Sequence, residues 1–143
     1  MRLAHLSIVA RDADRLAEFY RKVFKCRDRR ASQILSGEKV SRGNGLPNTE
    51  IYSIWLTLPG IEEMFLEIHQ YRQIADRPLP RVNEPGYAHL SFEVEDIRAI
   101  RDDIIRAGGR DQGKITNLGT VDTPFLAVYM RDPEGNIIEL EQI

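Results

Sequence analysis

Hydrophobic and polar residues alternate along the first ten positions. Ala4, Leu6, Ile8 and Ala10 share one face of an extended segment, and Leu3, His5, Ser7 and Val9 share the other, as the two-residue period of a strand requires. The period then changes. Asp12 is placed to cap a helix on which Leu16, Phe19, Tyr20, Val23 and Phe24 recur at helical spacing. Stretches near 27–35 and 49–58 read as strands around a polar segment, Ser36 to Asn48, rich in turn formers. A further strand over 63–70 sets Met64, Leu66 and Ile68 on one face and Phe65, Glu67 and His69 on the other.

The segment from Tyr71 to Pro85, with Pro78, Pro80, Asn83 and Pro85, reads as a linker. Beyond it the order restarts. Residues 87–94 alternate, Ala88, Leu90, Phe92 and Val94 against Tyr87, His89, Ser91 and Glu93. Asp96 is placed to cap a helix bearing Ile97, Ile100, Ile104 and Ile105, and Gly108-Gly109 can end it in a left-handed residue. A strand near 125–131, the turn Asp132-Pro133-Glu134-Gly135-Asn136 and a strand at 137–142 complete the unit. The expected fold class is α+β: two βαβββ repeats forming a half-open, barrel-like sheet with a central cleft. Repeat 1 covers about 1–71, the linker about 72–85 and repeat 2 about 86–143, all within one domain.

The repetition extends to individual residues. His5-Leu6-Ser7-Ile8-Val9 is answered by His89-Leu90-Ser91-Phe92-Glu93, and Phe65-Leu66-Glu67-Ile68-His69-Gln70 by Ile137-Ile138-Glu139-Leu140-Glu141-Gln142. Two histidines and two glutamates thus hold equivalent places in two copies of one unit. If each copy buries its apolar strand face on its own helix, the faces bearing His5, Glu67, His89 and Glu139 line the concave side. Two imidazoles and two carboxylates meeting there would nest a divalent metal ion.

Composition narrows the classes. The chain has 143 residues, 42% hydrophobic and 29% charged, with a net charge of −2 and no block of like charges. It has the length of one ordinary domain and shows no broad electrostatic footprint for nucleic acid. Its one cysteine, Cys26, excludes an internal disulfide framework and reads as a packing residue in a reducing compartment. No apolar run approaches the roughly 20 residues of a membrane span. The first residues enter a strand pattern at once rather than a signal peptide, so a cytoplasmic location is expected. The glycine-rich run Arg42 to Asn48 lacks phosphate-loop spacing and reads as a mobile turn at the cleft mouth.

The repeated phrases resemble the vicinal oxygen chelate superfamily: glyoxalase I, methylmalonyl-CoA epimerase, extradiol dioxygenases, and the fosfomycin and bleomycin resistance proteins. The resemblance spans essentially the whole chain. It is most specific in His5-Leu6-Ser7-Ile8-Val9, in Gly86-Tyr87-Ala88-His89-Leu90-Ser91-Phe92-Glu93-Val94, and in Tyr129-Met130-Arg131-Asp132-Pro133-Glu134-Gly135-Asn136-Ile137-Ile138-Glu139-Leu140. It implies that His5, Glu67, His89 and Glu139 hold a divalent metal ion (zinc, nickel, cobalt, manganese or iron). Glu67 and Glu139 are then the two candidate catalytic bases, the chain acts on a small molecule, and a homodimer is expected.

Proton transfer beside a metal-bound carbonyl or thioester, of lyase or isomerase type, is the activity the resemblance implies first. An iron(II) extradiol-type dioxygenase and a drug- or metabolite-binding resistance protein are the alternatives. Glutathione-dependent glyoxalase I usually carries an arginine where this chain has Val9 and an asparagine where it has Tyr71. Methylmalonyl-CoA epimerases commonly offer a glutamine at the place of Glu67. His69 is expected beside the metal ligands or at the rim of the site, and Tyr129 and Arg131 are equally readable as substrate contacts or ordinary strand residues.

Overall fold

The computed structural model describes residues 1–143. Two compact units make up the chain, Met1–Arg77 and Pro78–Ile143. In the first, β1 (His5–Val9) leads into α1 (Ala13–Phe24), then β2 (Arg27–Asp28), β3 (Gln33–Ser36), α2 (Glu38–Asn44), β4 (Glu50–Leu58) and β5 (Ile61–Tyr71). In the second, β6 (His89–Glu93) leads into α3 (Ile97–Arg106), then β7 (Arg110–Asp111), β8 (Thr116–Asn117), β9 (Leu126–Arg131) and β10 (Ile137–Gln142). Each unit builds one open, mixed sheet. The first runs β1-β5-β4-β2 with β3 also on β4, and the second runs β6-β10-β9-β7 with β8 also on β9. In each, the opening strand lies parallel to the closing one and the other pairs are antiparallel. The two βαβββ halves expected from the text are therefore the two units of the fold.

Physical causes repeat with the sequence. Asp12 accepts a hydrogen bond from Arg15 N and Asp96 from Arg98 N and Ala99 N, so each helix starts at a carboxylate cap. The repeated glutamine supplies a second acceptor: Gln70 Oε1 takes the Ala13 N–H and Gln142 Oε1 the Ile97 N–H, both at 2.9 Å. Glu67 and Gln70, three residues apart on a strand, point to opposite faces. The repeated spacing of the phrase thus ties one face to a helix start and leaves the glutamate on the other. Helix α1 buries Leu16, Phe19, Tyr20, Val23 and Phe24 against the apolar face carrying Ile54, Leu56, Leu66 and Ile68. Helix α3 buries Ile97 and Ile104, and Val128, Met130, Ile138 and Leu140 fill the corresponding sheet core.

Three local features differ from the sequence expectation. The strand expected over 27–35 is two short strands, β2 and β3, separated by a bend at 29–32. The polar segment Ser36 to Asn48 contains a helix, α2, which buries no residue and so carries no apolar period to betray it. Residues 110–117 add the short strands β7 and β8. The Asp132–Asn136 turn forms as expected. Buried Asp132 accepts from Glu134 N, Asn136 N and Asn136 Nδ2 at 2.8–2.9 Å, and Gly135 takes φ 89. Burial pushes the Asp132 carboxyl above its ordinary range, and the hydrogen bonds from Asn136, Glu134 and Gly135 pull back against that rise.

Candidate metal centre

Strand register decides what the histidines meet. In the first unit β1 pairs with β5 so that Ser7 stands beside Glu67, with His5 beside Phe65 and Val9 beside His69. His5 reaches across, its Nε2 lying 3.4 Å from Glu67 Oε2, while its ring stands 5.1 Å from that of Phe65. On the other side β4 places Trp55 opposite Glu67 and Ser53 opposite His69. The Trp55 indole N–H donates to Glu67 Oε1 at 2.8 Å, and Ser53 Oγ donates to the same oxygen at 3.5 Å. One carboxylate oxygen is thus held by the sheet, and the other faces His5.

The second unit repeats the register with different neighbours. Ser91 stands beside Glu139 and Ile137 beside His89, and β9 places Tyr129 opposite Glu139. His89 Nε2 lies 3.0 Å from Glu139 Oε2, and its ring is 5.1 Å from that of Tyr129. Partial burial pushes the Tyr129 phenol up, with the negative charge of Glu139 adding to the rise. The side chain of Glu139 is 16% exposed against 9% for Glu67, so the second carboxylate is the less enclosed.

These separations suit ligation. Two donors, each about 2.1 Å from one divalent cation at angles of roughly 90–109°, stand about 3.0–3.4 Å apart. The two His–Glu pairs, at 3.4 and 3.0 Å, match that spacing, and neutral imidazole with carboxylate is a donor set suited to zinc and the first-row transition metals. Each unit supplies one such pair, and no group of three or more His, Cys, Asp or Glu side chains surrounds a single point. His69 does not enlarge the first pair. Its Nε2 lies 2.9 Å from Glu67 Oε1, the oxygen remote from His5, so the carboxylate stands between two imidazoles.

His69 is half-buried beside Glu67, its side chain 14% exposed. Arg131 is occupied structurally: Nε donates to Gln112 Oε1, Nη1 to Gly135 O and Nη2 to Pro80 O, which pins the turn before β10. Tyr129 is left on the face of Glu139 and His89. Sequence reading missed Trp55 and Ser53. The signal lay in the alternation of β4, where Ile54, Leu56 and Leu58 are buried as core and Ser53 and Trp55 fall on the face of Glu67.

The profile of the Glyoxalase/Bleomycin resistance protein/Dioxygenase superfamily matches residues 2–140. The chain belongs to this family. It is 29% identical over 144 aligned positions to the ethylmalonyl-CoA/methylmalonyl-CoA epimerase of Cereibacter sphaeroides, covering 99% of this chain and 98% of that protein. Among solved structures it is similar to a glyoxalase family protein from Bacillus cereus, with a TM-score of 0.87, 23% identity, and 99% and 93% of the two chains covered. It is also similar in fold to the fosfomycin resistance protein of Listeria monocytogenes, solved with Mn(II) and sulfate, at a TM-score of 0.59, 14% identity, and 99% and 92% coverage.

Proposed function

We propose that this chain is a metal-dependent enzyme of the glyoxalase and epimerase kind. It transfers a proton at the carbon next to a carbonyl or thioester, in a reaction of lyase or isomerase type. His5 and Glu67 from repeat 1 and His89 and Glu139 from repeat 2 are the proposed ligands, and residues 1–143 act as one glyoxalase-like domain. The observation that carries the reading is the recurrence of a His–Glu pair, at 3.4 and 3.0 Å, on the same register positions of both sheets. Similarity to an acyl-CoA epimerase over nearly the full length of both chains supports the thioester class. A cytoplasmic homodimer acting on a small molecule is part of the same proposal.

A bound divalent cation would polarise the substrate carbonyl and lower the cost of removing the adjacent proton. The residues of the chain divide the remaining work. Glu67, fixed through Oε1 by the Trp55 indole, is the anchored ligand. Glu139 faces a phenol that can rotate and can either donate or accept, so it is the carboxylate able to swing and take the proton. Tyr129 lies next to that carboxylate and positions it. Phe65 and Trp55, stacked at 4.2 Å, flank the first pair, in which Glu67 is buried and His5 stays open to solvent.

The test is metal content together with exchange of the substrate's α-proton for deuterium, using methylmalonyl-CoA as the first probe. The wild-type protein retains divalent metal and catalyses exchange, whereas the His5→Ala, His89→Ala double variant loses both. Undiminished metal in the double variant would sink the proposal.

A further inference from the structure

Each repeat leaves a groove between its helix and the segment after its short second strand, of about 480 Å³ beside α1 and β2 and about 520 Å³ beside α3 and β7. In both, an arginine of the helix clamps the aspartate of that strand, Arg21 on Asp28 and Arg101 on Asp111. The first groove is tied across. Tyr52 Oη donates to Asp14 Oδ1 at 3.0 Å and pairs with Ser32 Oγ at 3.2 Å, joining the helix start to the bend after β2. The second repeat changes this tie. Arg98 stands two residues after the cap, where the first repeat has Asp14. Leu126, opposite Gln142 as Tyr52 is opposite Gln70, brings no hydroxyl.

Positive charge is left over in the second groove. Arg98, Arg101 and Lys114 line it together with Asp102 and Asp111. Arg101 takes both carboxylates, Asp111 through Nε and Nη2 and Asp102 through Nη1. Arg98 and Lys114, both exposed, have no carboxylate partner. The helix sharpens the imbalance. Its first turn is the positive end of the backbone dipole, and α3 carries no acidic residue there, whereas α1 carries Asp14. The Asp96 carboxylate is committed to the cap, on Arg98 N and Ala99 N. Arg98 and Arg101, three residues apart on one face of α3, form a like-charge pair that costs stability. Dipole, guanidinium and ammonium thus converge on an open groove where the chain supplies no free anion.

We propose that this groove binds a phosphate monoester, with Arg98 and Lys114 donating to its phosphate. A guanidinium and an ammonium suit a dianion with three acceptor oxygens, and the volume leaves room for a sugar- or nucleoside-sized body beside it. The site is separate from the metal centre. Asp111 pairs with Met130, which is buried in the core, so the groove opens on the helix side of the sheet. Tyr129 and Glu139 stand on the opposite face. The bound ester is therefore a second ligand and not the molecule that reacts.

Amide chemical shifts of the full-length protein locate the site without any turnover. The protein is titrated with inorganic phosphate, glucose 6-phosphate and AMP, and with glucose and adenosine as uncharged controls. The phosphates shift the amides of Gly113, Lys114 and Ile115 saturably, and at least one ester binds more tightly than inorganic phosphate. The amides of Ala31 and Ser32 in the first groove stay fixed, and the controls shift nothing. Arg98→Gln and Lys114→Gln each weaken the ester about tenfold and melt like the wild type, since neither side chain has a carboxylate partner in the fold. Arg98→Asp, which restores the acidic residue of the first repeat, abolishes binding. No saturable shift from any of the phosphates, unchanged affinity in both glutamine variants, an equal response to the controls, or tightest binding by inorganic phosphate would overturn the site. So would shifts confined to the amides around His89 and Glu139, which would put the anion at the metal centre. Binding is read directly, so failure of α-proton exchange defeats the proposed reaction and leaves the groove standing.

Discussion

The two repeats share a strand register and a helix cap, yet they treat their glutamates differently. In repeat 1, Glu67 lies between two imidazoles, and the Trp55 indole fixes one of its oxygens. In repeat 2, Glu141 occupies the place of His69, Tyr129 the place of Trp55, and Glu139 is more exposed. Duplication sets where a side chain stands; the cross-strand neighbour sets how freely it moves. An indole N–H can only donate, and it holds its acceptor in one position. A phenol can donate, accept or turn away. One scaffold therefore gives one carboxylate an indole partner and the other a phenol.

The largest effects test that division directly. Glu139→Gln is expected to slow α-proton exchange about 1000-fold, equivalent to about 4 kcal/mol of barrier, with metal largely retained. Glu67→Gln is expected to cost about tenfold, since an amide oxygen still ligates. Single-turnover exchange rates on metal-loaded variants measure both. If Glu67→Gln proves the more damaging, the roles are reversed.

The second contrast follows the helix ends. Cys26 and Gly109 occupy equivalent places just before β2 and β7. Burial pushes the Cys26 thiol from an ordinary 9.0 up to about 11. A raised folded value stabilises the fold fully below pH 9.0, and that contribution is lost as pH climbs to about 11. Relative to Cys26→Ala, the wild type is thus expected to lose about 3 kcal/mol across that window in urea melts. At Gly109 a Cβ would lie 2.5 Å from both Arg131 O and Ile104 Cγ2. Gly109→Ala is expected to cost about 2 kcal/mol at every pH. A pH-independent Cys26 or a silent Gly109→Ala would erase the distinction.

Much of this was legible in the text because it depends on period and register. Alternation located β1, β5 and β6, and the paired phrases marked His5, Glu67, His89 and Glu139 as one set, whereas the structure pairs His5 with Glu67 and His89 with Glu139 and groups no three of them. The capping role of Gln70 and Gln142 escaped notice although the residues repeat, because side-chain to backbone contacts leave no hydrophobic period. Helix α2 escaped for the related reason that it buries nothing. Trp55 is the cross-strand partner of Glu67, and only the register of β4 against β5 reveals it.

That register yields the third contrast. Trp55→Phe keeps the ring stacked on Phe65 but removes the donor to Glu67 Oε1. It is expected to weaken metal affinity about tenfold to 100-fold, as loss of a group orienting a ligand does elsewhere. Tyr129→Phe is expected to change metal affinity by less than about threefold and to act on exchange rate instead, because Tyr129 orients the base. Competition with a chelating dye separates the two. Equal losses of affinity would mean that both glutamates are held alike.

The smallest effects lie at the helix starts. Asp96 accepts from Arg98 N and Ala99 N at 3.0 Å, and Asp12 accepts from Arg15 N at 2.9 Å. Helix α1 buries seven residues and α3 two, so α3 depends more on its cap. Asp96→Ala is expected to cost about 1.5 kcal/mol and Asp12→Ala about 0.7 kcal/mol, both within the range of cap removal. Asp96→Ser, which restores a capping oxygen without the charge, is expected to recover most of the loss. The discriminating measurement is amide exchange at Arg98, Ala99 and Arg15. If Asp12→Ala frays its helix more than Asp96→Ala does, burial of the helix face does not set how far a helix start leans on its cap.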